Sequence, residues 1–372
     1  MSKLRLAVVG AGHLGRIHAR IAKGLEGVQL VGVVDPVAEN RAQVASETGV
    51  PAFSNLHELF GLADAAVVAT PTTTHANVAK ELLHGGLHLL IEKPLTTTTA
   101  EADELVTLAR RQQLTLQVGH VERFNPGLTS VQEKLSDPKF IEARRCSGYT
   151  FRSTDIGVVL DLMIHDIDIV LSLVQSPLQQ VEALGLSVLG DQEDMVNARL
   201  RFASGCVANL TASRVSYTAE RAMQVITPTC AATIDFAQRR ASLIEPTEQI
   251  LMREFDANTL TSDEKTHVSE HLFSDLLARR DLPSLDVNAI EQELLDFFGA
   301  IRTGTNPLVT GHAGREAVAV AEAILEQVAT HQWDGATGTR QGAFALPFSP
   351  LVTAEADQWT EDDTVIIRRK AG

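Results

Sequence analysis

The sequence predicts an α/β protein: a doubly wound parallel sheet, then an α+β unit with a large, mostly antiparallel open sheet. Three observations carry this. Short apolar runs alternate strictly with helical patterns over the first ~120 residues. A glycine-rich turn joins the first run to the first helix. Beyond it the rhythm changes to successive short strands. At roughly 100–200 residues per domain, the 372-residue length suits two domains.

The first strands are Leu4 to Val9, Val28 to Val34, Asp64 to Ala69, Leu87 to Ile91 and Leu114 to Val118. Each is short, continuous and rich in Val and Leu, as expected where helices cover both faces of a parallel sheet. His13 to Lys23, Val37 to Glu47, Thr74 to Leu83 and Ala100 to Arg111 carry helical patterns between them. Pro51-Ala52-Phe53 is a strand stub before Asn55 to Phe60. After residue 120 a helix over Pro126–Ser136 leads to a strand at Phe140–Cys146 and an apolar helix from Gly157 to Val174. Strands are then expected at Val181–Leu189, Val196–Phe202, Cys206–Ser213, Met223–Thr227, Ala231–Phe236 and Ala241–Ile244. Ser204-Gly205 forms a hairpin turn between two of them. Helices at Val287–Ile301 and Arg315–Thr330 precede a Gly-rich stretch, Gly335 to Gly342. The expected division is 1–122, 123–334 with at least one helix packing back on the first unit, and a tail at 335–372.

Composition narrows the function classes. Hydrophobic residues make up 44% and charged residues 21%, an ordinary globular balance. The formal charge of −15 repels nucleic-acid phosphate and anionic lipid, so neither is an expected partner. No apolar run approaches the ~20 residues that span a bilayer. Met1-Ser2-Lys3 runs directly into the first strand without a secretory pattern. Cys146, Cys206 and Cys230 are scattered, without metal or redox spacing. A cytoplasmic, soluble protein is expected.

Gly10-Ala11-Gly12-His13-Leu14-Gly15 is an intact GxGxxG. With 25 glycines in the chain the pattern alone is weak; its place between a strand and a helix makes it strong. Gly10 permits the tight turn, Gly12 lets backbone approach a pyrophosphate, and Gly15 allows close helix–strand packing. The helix start at His13 and Leu14 offers N–H groups to phosphate. Asp35 closes the second strand, where a carboxylate binds ribose hydroxyls and repels a 2′-phosphate, favouring NAD over NADP. Asp35 could equally cap the next helix, and the two roles are compatible.

Further candidates end strands where ligands bind in such sheets: Thr70-Pro71 with His75 on the next turn, Glu92-Lys93-Pro94, and Gly119 to Asn125. Lys93, held extended by the following proline, should project toward the cleft. Asp161, His165 and Asp168 form one stripe on a helix apolar nearly all round. A carboxylate one turn from an imidazole orients it for acid–base work; a satisfied structural network is the alternative.

GAGHLG, the EKP at 92–94 and the DxxxHDxD at 161–168 together resemble the Gfo/Idh/MocA oxidoreductases, over residues 3 to about 330. The resemblance implies an NAD(P)-binding Rossmann domain, then a domain whose open sheet often mediates dimers or tetramers. It implies Lys93, Asp161 and His165 around the nicotinamide, with Lys93-Pro94 a cis peptide. Cofactor contacts are then expected at Gly10, Gly12, His13, Leu14, Gly15, Asp35, Thr70, Pro71, His75, Glu92 and Lys93. Substrate contacts are expected at Lys93, His120, Arg123, Phe124, Asn125, Asp161 and His165. Where the family commonly has a glycine cluster, this chain has Ser153-Thr154-Asp155-Ile156-Gly157-Val158. GHVERFNP at 119–126 with DIGVVLDLMIHDIDIV at 155–170 resembles the bacterial branch that includes UDP-N-acetylglucosamine 3-dehydrogenases. The expected activity is hydride transfer between a sugar or sugar-nucleotide hydroxyl carbon and NAD, by a homodimer or homotetramer. Which of Lys93 and His165 removes the proton stays open.

Three rivals stand beside it. His267-Val268-Ser269-Glu270-His271 spells an inverted zinc-protease pattern, but in a polar stretch that suits a solvated helix start, so no metal is expected. A nucleotide-sensing regulator on the same fold would be expected to lack the Lys, Asp or His kept here. An NAD-dependent glycosidase on this scaffold would release sugar without net NADH.

Overall fold

The computed structural model describes residues 3–151, 155–283, 285–334 and 340–345. Ser153-Thr154, most of the Gly-rich stretch and most of the tail lie outside them.

The alternating half folds as β1 (Leu4–Val9), α1 (His13–Gly24), β2 (Val28–Val34), α2 (Ala38–Thr48), β3 (Ala52–Phe53), β4 (Ala65–Val68), α3 (His75–His84), β5 (His88–Glu92), α4 (Thr99–Arg111) and β6 (Leu116–Gly119). All six strands are parallel, in the order β3-β2-β1-β4-β5-β6. Ala65 to Val68 and Leu89 to Ile91 are fully buried, the signature of a sheet covered on both faces.

The second half contains α5 (Pro126–Thr129), β7 (Phe140–Cys146), a π-helical turn (Val159–Met163) running into α6 (Ile164–Val174), then β8 (Leu178–Leu186), β9 (Met195–Phe202), β10 (Val207–Ser213), β11 (Glu220–Ile226), β12 (Ala231–Asp235) and β13 (Arg240–Pro246). After these come α7 (Glu248–Leu251), α8 (Ser262–Asp275), β14 (Leu277–Leu282), α9 (Ala289–Thr303) and α10 (Gly311–Thr330). The eight strands run β14-β13-β12-β11-β7-β10-β9-β8, antiparallel except for β7 with β10. Alternation along β9 buries Val196, Ala198, Leu200 and Phe202 against α6 and α10 while Asn197, Arg199 and Arg201 face outward.

Three expectations shift. The helix expected over Pro126–Ser136 breaks after Thr129, and only a 3₁₀ turn follows at Gln132–Lys134. Asn125 caps α5 through Gly127, where a Cβ would lie 3.0 Å from the Arg240 backbone, so α5 sits directly on β13. The strand expected at Val181–Leu189 begins and ends earlier, because Val188 and Leu189 turn outward with both N–H groups donated to Asp194. The polar stretch holding His267 and His271 becomes all of α8, followed by β14, a strand too charged to be seen by its pattern.

Two C-terminal helices return to the first sheet. From α9, Leu294, Phe297 and Phe298 join the core beneath β1 and α1. α10 packs on α4 and β6 of one unit and on α6 and β8 of the other. Gly311 and Gly314 make this approach possible, since a Cβ on either would collide with Leu116 or Val118.

α9 also delivers Glu293, fully buried, beside the pair of His18 and Glu92, whose Nε2 and Oε1 are 2.6 Å apart. Neither Glu293 carboxyl oxygen has a hydrogen-bond partner among the described residues. Burial, reinforced by the Glu92 charge, holds Glu293 well above the usual carboxylate range. Glu92 is itself opposed by burial, but its His18 partner keeps it lowered and ionised. A carboxyl with a raised folded pKa loses stability as pH climbs above its unfolded value. Glu293→Gln, which cannot ionise, should therefore melt higher than wild type by about 2–8 °C at neutral pH. The gap should shrink toward about pH 5. Equal melting curves across this range would show that Glu293 ionises at no cost.

Candidate active site

The first turn is built for a phosphate. Gly10 sits at φ +93°, with the Ala69 carbonyl 2.4 Å from where a Cβ would be, so no side chain fits. A Cβ at Gly15 would lie 1.8 Å from the Gly10 carbonyl oxygen, which locks α1 against the turn. A Cβ at Gly12 would meet no other part of the described chain within 4 Å, so there is open space at the helix start. No side chain caps α1 and no acidic residue stands in its first turn, so its N–H groups and dipole face that space. Asp35 accepts from Ala11 N at 2.7 Å and Val37 N at 2.8 Å. It therefore both closes the loop and presents a carboxylate at the end of β2. Arg41 folds back to the same place, donating to the Asp35 and Pro36 carbonyls. These residues fit a dinucleotide.

One cavity of about 980 Å³ joins this loop to the second unit. Gly10, Gly12, His13, Leu14, Asp35, Thr70, Pro71, Glu92 and Lys93 line it from the first sheet, and Asp161 and His165 from the π turn and α6. The Lys93-Pro94 peptide is cis. Lys93 Nζ donates to the Asp161 carbonyl oxygen at 2.5 Å and to Oδ1 at 3.1 Å, a contact that bridges the two units. Asp161 thus partners Lys93. His165 receives no such support; its Nδ1 is buried without a partner among the described residues. Its ring meets His120 edge-on, centroids 6.3 Å apart. Burial, then the Lys93 charge, pushes the His165 pKa well below 6.5, so the imidazole is neutral at pH 7.

Several expected contacts lie elsewhere. His75 does not line the cavity: its ring nitrogens are 2.9 Å from the Pro94 and Thr70 carbonyls, making it a strut between two loops. His120 is buried behind His165, with both ring nitrogens unpartnered among the described residues and its pKa lowered by burial. Arg123 pairs with Asp168 at 3.4 Å. Phe124 packs into the first unit's core, and Asn125 is spent on Glu122, Gly127 and the Phe236 carbonyl. In this loop Gly119, Val121 and Glu122 face the cavity instead. His267 and His271 stack at 4.4 Å on exposed α8, and His267 lies 3.2 Å from Asp275.

Sequence reasoning missed the cationic wall. Arg145 of β7 is buried between Asp166 and Glu122, each at 2.8 Å. Arg214 holds Asp194 at 2.6 Å and stacks on Tyr149. Arg221 of β11 lines the cavity as well. The alternation in Phe140–Cys146 put Arg145 on the inner face; nothing local announced its two carboxylates.

A glycine-turn dinucleotide site facing a Lys–Asp–His cluster across one cavity defines a nicotinamide-dependent oxidoreductase. Residues 4–120 match the oxidoreductase family model with an NAD-binding Rossmann fold, and residues 134–230 match the GFO/IDH/MocA C-terminal domain. UDP-N-acetylglucosamine 3-dehydrogenase from Acidithiobacillus ferrooxidans is 36% identical over 86% of this chain and 96% of its own. The solved structure of that enzyme superimposes with a TM-score of 0.77 at 32% identity, covering 88% of this chain and 98% of the other. The NAD-dependent scyllo-inositol 2-dehydrogenase of Bacillus subtilis is 28% identical over 58% of this chain and 68% of its own. The chain belongs to the Gfo/Idh/MocA oxidoreductases. It is a dehydrogenase acting on CH–OH groups, and NAD is its cofactor.

Replacing Asp35 by Ser together with Pro36→Arg removes a negative charge and adds a phosphate partner at the end of β2. A charge-assisted hydrogen bond contributes about 1.5–3 kcal/mol, so the NADPH-to-NADH affinity ratio should rise roughly ten- to a hundredfold in fluorescence titration. Wild-type protein binding NADPH as tightly as NADH would defeat this account of Asp35.

Proposed function

We propose that this dehydrogenase oxidises the 3-hydroxyl of UDP-N-acetylglucosamine to a ketone. The observation that carries the chemistry is the convergence of Lys93, Asp161 and a neutral His165 on the cavity that the glycine loop opens into. The substrate assignment is supported by the 36%-identical relative of that name, matched over nearly its whole length.

Bound NAD supplies the hydride acceptor. The His165 ring takes the hydroxyl proton, as a general base whose imidazole is already deprotonated at working pH. Lys93 Nζ spends two hydrogen bonds on Asp161, which fixes the ammonium and leaves one N–H for the substrate oxygen. There the positive charge stabilises the developing alkoxide and then polarises the carbonyl. Protonated His165 is disfavoured by its burial, so it readily returns the proton in the reverse direction. Asp161 is a positioning residue, acting through Lys93.

His165→Ala and Lys93→Ala should each lower kcat about 10²–10⁴-fold on UDP-N-acetylglucosamine while NADH titration stays near wild type. Wild-type kcat/KM should rise with pH through an ionisation below 6.5, then level, and this limb should be absent in His165→Ala. Near-normal turnover by that variant would reduce His165 to a structural histidine. The protein is further proposed to work in the cytoplasm, which its three buried free thiols suit, and as a homodimer or homotetramer, a reading that rests on the family and not on the polar outer face of β9. Light scattering at micromolar concentration should give a multiple of the monomer mass; monomer mass alone would refute assembly.

A further inference from the structure

The cavity wall carries four cations of fixed charge, and their partners differ sharply. Lys93 is tied to Asp161, Arg145 to Asp166 and Glu122, and Arg214 to Asp194. The cavity-facing carboxylates are equally committed: Glu92 to His18, Glu122 to Arg145, Asp161 to Lys93, and Asp35 to two backbone N–H groups. Arg221 stands apart, with no carboxylate partner among the described residues.

The sheet register fixes where Arg221 points. Arg221 on β11 is directly paired with Arg145 on β7, so both side chains leave the same face of the sheet. The Arg145 charge is balanced within its own cluster, and the Asp166 carboxylate there also feels the Arg221 charge without a salt bridge to it. Arg145 has its two carboxylates; Arg221 has the open cavity. Its charge already bears on His165 and Asp166, which places it on the wall the substrate must face. In a chain of net charge −15, a multiply charged anion needs such a local cation to settle.

We propose that Arg221 is the anion anchor of the substrate half of the cavity, holding the diphosphate of a nucleoside-diphosphate sugar through its bidentate guanidinium. This rests on the sugar-nucleotide reading above and adds to it the residue that selects for the diphosphate.

The test uses the full chain, with NADH bound for the binding measurement and NAD⁺ supplied for turnover. Affinity for UDP is measured by calorimetry, and KM is measured for UDP-N-acetylglucosamine beside free N-acetylglucosamine and inositol. Arg221→Ala should weaken UDP binding and raise KM for the UDP-sugar about tenfold or more, with Arg221→Lys recovering part of the loss. Retained NADH affinity in both variants reports an intact fold. If wild type oxidises the UDP-sugar and Arg221→Ala leaves UDP affinity and KM unchanged, the anchor is wrong and the sugar-nucleotide reading survives. If wild type binds no UDP and oxidises only uncharged sugars or polyols, both fall together. If Arg221→Ala weakens binding of a sugar carboxylate such as glucuronate while UDP is not bound, the site takes an anion but not a diphosphate, and the proposal is overturned.

Discussion

Arg145 is the interaction on which the rest of the site depends. Its guanidinium is 4% exposed and binds carboxylates from two other parts of the chain. Asp166 lies on α6 next to His165, and Glu122 lies in the turn after β6, at the edge of the first sheet. Burial would depress the arginine's pKa, but Asp166 and Glu122 together raise it instead. Phe236 lies beneath the guanidinium, and Asn125 holds the other Glu122 oxygen. Breaking such a buried pair by removing one partner typically costs about 3–5 kcal/mol, because the survivor keeps an uncompensated charge. The helix that presents His165 is therefore pinned to the central strand of one sheet and to the rim of the other by a single side chain.

The parts legible in the sequence are those whose physics is local. GxGxxG demands glycine because of contacts between residues five apart and an adjacent strand, and Gly10 and Gly15 show those contacts. Lys93 was legible because the following proline restricts its backbone, and His165 because a lone imidazole on an apolar helix stands out. The buried runs of the parallel sheet and the hairpin at Ser204-Gly205 declared themselves by period and turn chemistry.

What stayed hidden is set by distant partners. Spacing suggested that Asp161 would steady His165, one turn away. The π-helical turn instead directs it to Lys93, 68 residues earlier in the chain. His75, Arg123 and Asn125 had the right residue types at the right strand ends, but each is consumed by a contact that one sequence does not display. Glu293 gave no signal, since an acidic residue on an amphipathic helix ordinarily faces water.

The placement of α10 has a consequence for how ligands come and go. Its small residues pack tightly on the first sheet, Arg315 grips Asp103 of α4 at 2.9 Å, and Glu322 accepts from Thr99. Its other side is sunk in the core of the second sheet through Ala317, Val320, Ala321 and Ile324. A helix embedded in both halves opposes a jaw-like rotation between them, because such a rotation would separate one of its two packed faces. To the extent that α10 holds the two halves at one separation, discrimination between substrates falls to the side chains on the cavity wall and not to the energy of closing over the correct guest.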